Sequence, residues 1–421
     1  MLEQLKQLIA IPSVTGAEPK ENAPYGEAVK EALLYVLDLC DQLGFRTKNC
    51  DNRIGYAEIG EGETLIGILG HLDVVPAGEG WTHHPFDLEI EDGKIYGRGV
   101  IDNKGPLIAA IFAMKDLLDQ GIQLNKRVRI IFGCQEESGD WEDMTYYLET
   151  EEQPTFGFTP DADFPAIYCE KGIVGIMLTV DKPESIQAIS GGLAINMVPE
   201  RAQATFINEQ GEEETLETRG KSAHGALPEE GENAISKLVL TLAERINHPF
   251  FEFYKEKIGM SLHGEQMGCY LTDEASGEIT INVGKINVIE DKIQMALDVR
   301  YPISFTAEDV VAAFTKGVQP YDVEVVAKGD VKPVYMDKNG WVMQTLLKAY
   351  ESKTGDTSEP LVIGGGTYAR AMPNIIAFGP LLPGRPATEH QKDECMLQSD
   401  LELCREIYAS AIAQLVAHQE S

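Results

Sequence analysis

The stretch 64–105, TLIGILGHLDVVPAGEGWTHHPFDLEIEDGKIYGRGVIDNKG, constrains this chain more than any other. Its run Leu65, Ile66, Gly67, Ile68, Leu69 lacks polar alternation, as expected of a strand covered on both faces in a largely parallel sheet. The run stops at His71 and Asp73, and a glycine-rich turn then delivers Asp102. Open α/β sheets bind ligands beyond the carboxyl ends of their strands. Two residues apart on an extended chain, His71 and Asp73 share one side, so one can ligate a metal while the other orients it.

The same arrangement recurs downstream. Arg127 to Phe132 is β-branched and apolar at its centre and leads into GCQEESGD, which sets Glu136 and Glu137 just past a strand's end. In FTPDADFP, Pro160 and Pro165 bracket Asp161 and Asp163 in a segment that suits neither a helix interior nor a central strand. Helical periodicity marks residues 1–10, and it marks 26–43 through Val29, Leu33, Val36, Leu37 and Cys40. It returns in PLIAAIFAMKDLLDQG through Leu107, Ile108, Ile111, Met114, Leu117 and Leu118, with Gly121 as a stop. Asp102 therefore stands just ahead of a helix start.

Alternating strands and helices predict an α/β fold, and 421 residues exceed one typical core. From about Asp181 to Pro333 the texture changes: GEITINVGKINV and DKIQMALDVRYPI suit antiparallel strands with one wet face, mixed with two helices. The expected organisation is one α/β domain in two pieces, 1–180 and 334–421, interrupted by an inserted α+β domain over 181–333. The α/β texture resumes with a helix near 341–353, the turn VIGGGTYAR, the strand-like NIIAFGP and a helix from about 395 to 418.

A formal charge of −33 argues against nucleic-acid phosphates or anionic lipid as partners, since either needs a basic surface. Seven scattered cysteines without a CxxC spacing suit reduced thiols, hence a cytoplasmic protein. No charged-then-apolar leader opens the chain and no apolar run reaches about 18 residues, so neither secretion nor membrane spanning is expected.

The polar residues that end strands or occupy tight turns are His71, Asp73, Asp102, Glu136, Glu137 and Asp161, joined by His390 in PGRPATEH; five of these seven are acids. Brought together, they would repel one another unless positive charge compensated them. Two divalent cations would do so. Imidazole nitrogen with carboxylate oxygen suits zinc, manganese or cobalt, and a carboxylate can bridge ions about 3.5–4 Å apart.

GHLDVVPAG, GRGVIDNKG, CQEESG, PDADFP and TEH, in this order, resemble the five metal-site segments of the M20 family of zinc peptidases and deacylases. Within it the chain is most similar to the PepV-like bacterial dipeptidases, also named Xaa-His dipeptidases or carnosinases, from the first helix to the last. The resemblance implies a three-layer zinc-peptidase-like catalytic domain with a mainly parallel sheet, and an inserted lid domain with an antiparallel sheet. It implies two zinc ions per subunit, one held by His71 and Asp161, the other by Glu137 and His390, with Asp102 bridging. Asp73 would hold His71, and Glu136 would be the general base. A cis Asp102–Asn103 peptide is also implied.

In the insert, SGGLAINMVPE and GKSAHG resemble lid segments whose asparagine and histidine, here Asn196 and His224, reach over the metals, His224 stabilising the oxyanion. Arg300 in LDVRYPIS and the amides of Gly364, Gly365 and Gly366 resemble the clamp on the substrate's terminal carboxylate. PepV-like enzymes tend to carry a longer insert than the roughly 150 residues assignable here, which leaves monomer and homodimer both open.

The implied activity is hydrolysis of dipeptides with a free amino end. Aspartate at position 161 tends in this family to accompany aminopeptidase and dipeptidase activity, and Asp163 or Glu170 could supply negative charge for the ammonium. Relatives that remove succinyl or acetyl groups from amino acids make an N-acyl amino acid hydrolase the alternative. A non-catalytic metal-bound scaffold is a third reading, opposed by the presence of Glu136. His83 and His84, being adjacent, point apart and suit structural roles. The GGGT turn lacks the lysine of a P-loop, and neither HExxH nor GxSxG occurs.

Overall fold

The computed structural model describes residues 1–419. They divide into two compact units, one of Met1–Tyr168, Met336–Leu361 and Thr367 to the last described residue, the other of Cys169–Tyr335 with Val362–Gly366.

The first unit is α/β. Its sheet runs in the order Arg46–Cys50, Ile54–Ile59, Arg127–Gly133, Leu65–His71, Phe156–Thr159 and Ile375–Ala377, with Ile167 paired to Ala377 beyond the last. The four strands from Arg127–Gly133 to Ile375–Ala377 are parallel, and the pairings outside that block are antiparallel. Every residue of Leu65–His71 and of Phe156–Thr159 is buried, which requires cover on both faces and explains the unbroken apolar runs.

The cover comes from helices with the expected faces. Glu27–Gln42 buries Val29, Leu33, Val36, Leu37 and Cys40. Lys104–Asp119 buries Leu107, Ile108, Ile111, Met114 and Leu117, while Leu118 stays half-buried. Beyond that helix Gly121 takes φ +66°, the left-handed conformation that ends it, and its N–H donates to the Leu118 carbonyl at 3.0 Å. Leu2–Ile9, Trp341–Thr354 and Gln398–Ala417 add to the cover. The last helix begins at Gln398, not 395, because Cys395–Leu397 pairs with Lys94–Tyr96 as a strand, which commits the backbone bonds a further helical turn would need.

The parallel block has one consequence for function. His71 lies opposite Gly133 in register, and Ile68 opposite Phe158, so three adjacent strands release the chain at the same edge just before His71/Asp73, Glu136/Glu137 and Asp161.

The second unit holds a seven-stranded antiparallel sheet in the order Glu213–Arg219, Arg201–Ile207, Ile186–Gly191, Thr280–Ile289, Lys292–Tyr301, Gly172–Asp181, Val323–Val331. Gly172–Asp181, ahead of the 180/181 division read from composition, pairs along its length with Lys292–Tyr301 and lies in this unit. Helices Ala234–Ala243 and Ala307–Val318 accompany the sheet, the second opened by a capping box between Thr306 and Asp309. The wet face expected of the central hairpin is confined to its turn end. Met295–Tyr301 is buried throughout, so Asp298 and Arg300 are polar groups inside a covered strand.

Candidate metal centre

His71, Asp73, Asp102, Glu136, Glu137, Asp161 and His390 all belong to the first unit, and the structure gathers them. Asp102 lies at the middle. Its Oδ1 is 2.8 Å from His71 Nε2, and its Oδ2 is 2.9 Å from His390 Nε2. Asp161 Oδ1 lies 3.5 Å from the same nitrogen of His71, and both Glu137 oxygens lie 3.2 Å from His390 Nε2.

Ligand atoms therefore fall into groups that lie within 4.8 Å of one another: His71 with Asp102 and Asp161, Asp102 with Glu137 and His390, and His71 with Glu136 and Glu137. The donors are imidazole nitrogens and carboxylate oxygens, the set that binds zinc and its first-row neighbours. One carboxylate shared between the first two groups, an oxygen to each, suits a pair of cations.

The electrostatics point the same way. Burial, with the negative charge of Asp161, holds the Glu136 carboxyl well above the usual range. Burial and Asp102 raise Glu137 to about 7, and burial raises Asp161 against the opposing pull of His71. Asp102 is the exception: burial pushes it up, but hydrogen bonds from His390 and His71 outweigh that and hold it far down. Burial disfavours a charged His390, yet its bonds to Asp102 and Glu137 carry it to about 11 although half the side chain is exposed.

Backbone contacts hold these groups in place. His71 Nδ1 lies 2.9 Å from the main-chain carbonyl of Asp73 and 3.5 Å from its carboxylate. That carboxylate instead accepts the amide N–H groups of Glu136 and Glu137 at 3.2 and 3.1 Å. Asn103, buried after a cis Asp102–Asn103 peptide, accepts the His71 N–H at 3.3 Å and donates to the Pro160 carbonyl at 2.5 Å. A side chain at residue 70 would meet Asn103 Oδ1 at 2.4 Å, so Gly70 is what lets this amide reach the strand end.

Asn103 was missed by the sequence reading, as were Asp143 and Tyr368. Asp143, fully buried, accepts N–H bonds from Cys134 at 2.6 Å and Gln135 at 3.1 Å, and a 2.7 Å bond from the Tyr368 hydroxyl. It anchors the turn that carries Glu136 and Glu137. The Tyr368 ring stands edge-on to His71 with centroids 6.0 Å apart. Only the adjacency of Asn103 to Asp102 offered a sequence signal; the others are unremarkable in their local context.

Asn196, His224, Arg300, Gly364, Gly365 and Gly366 belong to the second unit. Met197 and His224 form an isolated bridge, and the Gly225 N–H donates to the Asn196 carbonyl at 2.7 Å, which brings the two lid-like segments together. His224 Nδ1 accepts the Ala226 N–H at 3.2 Å. Arg300, 4% exposed, donates from Nε and one terminal nitrogen to Asp298 and from the other terminal nitrogen to the Gly364 carbonyl at 2.6 Å. A side chain at residue 225 would meet Asp298 at 2.6 Å, and one at 364 would meet Ala226 at 2.9 Å, so these segments converge. His83 stacks on Tyr96 at 3.7 Å and bonds Glu91, while His84 Nδ1 accepts the Phe86 N–H; neither is in a ligand group. Among the described residues no helix is long and apolar enough to cross a membrane.

Residues 67–414 match the model of Peptidase family M20/M25/M40. A Bacillus subtilis (strain 168) protein named "Putative dipeptidase YtjP" is 37% identical over 93% of this chain and 92% of its own. Among solved structures, an M20 family metallo-carboxypeptidase, Sso-CP2, from Sulfolobus solfataricus superposes with a TM-score of 0.61 at 19% identity, covering 99% of this chain and 98% of that one. The di-peptidase Dug1p from Saccharomyces cerevisiae gives 0.60 at 16% identity, covering 100% and 96%. At these identities the solved structures share the fold.

Proposed function

The chain belongs to the M20/M25/M40 peptidase family, and from that premise we propose that it is a metal-dependent dipeptidase acting on substrates with a free amino end. The observation that carries the reading is Asp102, whose two oxygens face His71 and His390 separately at 2.8 and 2.9 Å. The dipeptidase name of the Bacillus subtilis relative and the aspartate at position 161 favour a dipeptide over an N-acyl amino acid.

His71 and Asp161 would hold one cation, Glu137 and His390 the other, with Asp102 between them; zinc fits the donors, as do manganese and cobalt. When bound, such a pair supplies Lewis-acid polarisation of the scissile carbonyl and makes water more acidic. Glu136 supplies the proton transfers. Its carboxylate takes the proton of the attacking water as the new C–O bond forms, then gives it to the amine nitrogen as the C–N bond breaks. Burial raises the proton affinity of Glu136, which favours its taking the proton from water. Asp73 keeps Glu136 and Glu137 in place through their amides.

In the second unit, His224 takes the oxyanion and Arg300, with the glycine turn 364–366, takes the terminal carboxylate. Three of the guanidinium's five N–H groups go to Asp298 and Gly364, which leaves one on each terminal nitrogen for a planar carboxylate. Asn196, beside His224 through the Gly225 bond, would help to orient the scissile carbonyl.

The test is an assay of purified protein with zinc, manganese or cobalt added, comparing dipeptides with N-succinyl and N-acetyl amino acids. Hydrolysis of dipeptides that stops on chelation is expected. Turnover restricted to the acylated amino acids, or turnover undiminished by exhaustive chelation, would overturn the reading.

A further inference from the structure

Three of the segments that carry the candidate ligands meet at a buried carboxylate outside the ligand set. Glu394 is 0% exposed. Its Oε1 accepts the N–H of Ile101 at 2.9 Å, of Gly99 at 3.1 Å and of Asp102 at 3.3 Å. Its Oε2 accepts a second contact from Gly99 at 3.1 Å and a 2.8 Å bond from Arg98. Arg98 is 1% exposed, and its other terminal nitrogen reaches the carbonyls of Pro76 and Ala77 at 3.4 Å. The Gly97 N–H donates to the Glu394 carbonyl at 3.0 Å. The chain leaving His71, the turn leading to Asp102 and the loop following His390 are thus tied at one ion pair.

A buried ion pair contributes little net stability, because desolvation of both charges offsets their attraction. What this pair contributes is geometry. A single carboxylate takes the amides of residues 99, 101 and 102, so the backbone of Asp102 is fixed from one side by Glu394, while on the other side the next residue, Asn103, is tied through its amide to His71 and Pro160 at the ends of two strands. His390 stands four residues before Glu394 on the same loop, and His71 five residues before Pro76 on the chain that Arg98 holds. The spacing of the two imidazoles on either side of Asp102 therefore depends on a contact that touches none of the three side chains.

We propose that Glu394, locked by Arg98, is a positioning residue that sets Asp102 between His71 and His390 for cation binding. This rests on the metal-centre reading above and adds to it a residue outside the ligands. Glutamine is the discriminating replacement. It keeps the volume and one acceptor, but its NH2 group faces the amides of Gly99, Ile101 and Asp102 in one orientation, or the Gly99 N–H and the Arg98 guanidinium in the other, donor against donor. Lysine at position 98 keeps the charge and loses the planar fork.

The experiment uses the full chain as wild type, Glu394→Gln and Arg98→Lys. Zn2+ affinity is measured by competition with a chromophoric chelator, Co2+ coordination by visible absorption, and melting of the metal-free proteins serves as the folding control. Zn2+ affinity in Glu394→Gln is expected to fall roughly 10- to 100-fold with a changed Co2+ band, and Arg98→Lys to show the same change to a smaller extent. Wild-type Zn2+ affinity and an unaltered Co2+ band in both variants would overturn the proposal. If Glu394→Gln does not fold, Arg98→Lys decides on the same readings. Absence of Zn2+ and Co2+ binding by the wild type would instead overturn the underlying metal-centre reading.

Discussion

The Asp73 carboxylate accepts the amide N–H of Glu136 at 3.2 Å, with the neighbouring amide of Glu137 at 3.1 Å on its other oxygen. The side chain that leaves one strand end thus fixes the backbone at the next. In the resemblance Asp73 is a partner of His71. Here the nearer partner of the His71 ring is the Asp73 carbonyl, which leaves the carboxylate to hold the proposed base and one proposed ligand.

Asp73→Ala would strand both amides in a site with no exposure at residue 73. An unsatisfied buried donor costs about 1–3 kcal/mol, so a clear drop in the urea midpoint of the metal-free protein is expected together with a fall in kcat of roughly 10- to 100-fold. Equilibrium unfolding and steady-state kinetics check the two parts separately. An unchanged midpoint would show that water replaces the carboxylate.

Glu136→Gln removes the proposed base and leaves the residues nearest Asp102 untouched. Metal content by elemental analysis should match wild type, while kcat falls by about 10²–10⁴-fold, the range for loss of a general base. The two readings together distinguish a base from a ligand: if the variant loses a metal equivalent, Glu136 belongs with His71 and Glu137 in the third group of ligand atoms.

Asp143 gives a pH prediction away from the metal ligands. Burial, the largest influence, lifts its carboxyl to about 6, against the N–H bond from Cys134 and the Tyr368 hydroxyl. Because the folded value lies above the unfolded one of 3.8, the native state holds its proton longer. Its contribution to stability is therefore greatest below about pH 4 and is lost as pH rises toward 6. The stability difference between wild type and Asp143→Asn should shift by up to about 3 kcal/mol over that window. Urea titrations at pH 4, 5, 6 and 7 measure it, and a flat difference would mean that the carboxylate stays ionised in the fold.

The strand ends were legible because burial on both faces leaves a mark that survives without context: an unbroken apolar run that stops at a polar residue, as at Leu69 before His71. Helix faces were legible for the matching reason at period 3.6, as in Lys104–Asp119. Residues that hold the site through backbone contacts left no such mark. Glu394 sits in an acidic loop and finds its partners nearly 300 residues away in sequence, and Asp143 lies in the first turn of an ordinary helix. Asp298 was within reach of sequence reasoning, since residues two apart on a strand share a face and Asp298 and Arg300 carry opposite charges. The alternation rule that predicted a wet face for that strand obscured it.

His224 carries the last prediction. Its Nδ1 accepts the Ala226 N–H at 3.2 Å, so in the proposed role Nε2 is the ring nitrogen that would donate to the oxyanion. A donor aimed at developing negative charge is worth about 2.7–4 kcal/mol, or 10²–10³ in kcat. His224→Ala should therefore lower kcat by that order and leave metal content unchanged, because His224 is in none of the groups of ligand atoms. His224→Gln, which can offer an N–H, should recover part of the loss, whereas a general-base role would not tolerate it. Steady-state kinetics on both variants with elemental analysis decide the matter, and an unaltered kcat in His224→Ala would remove the oxyanion role from this residue.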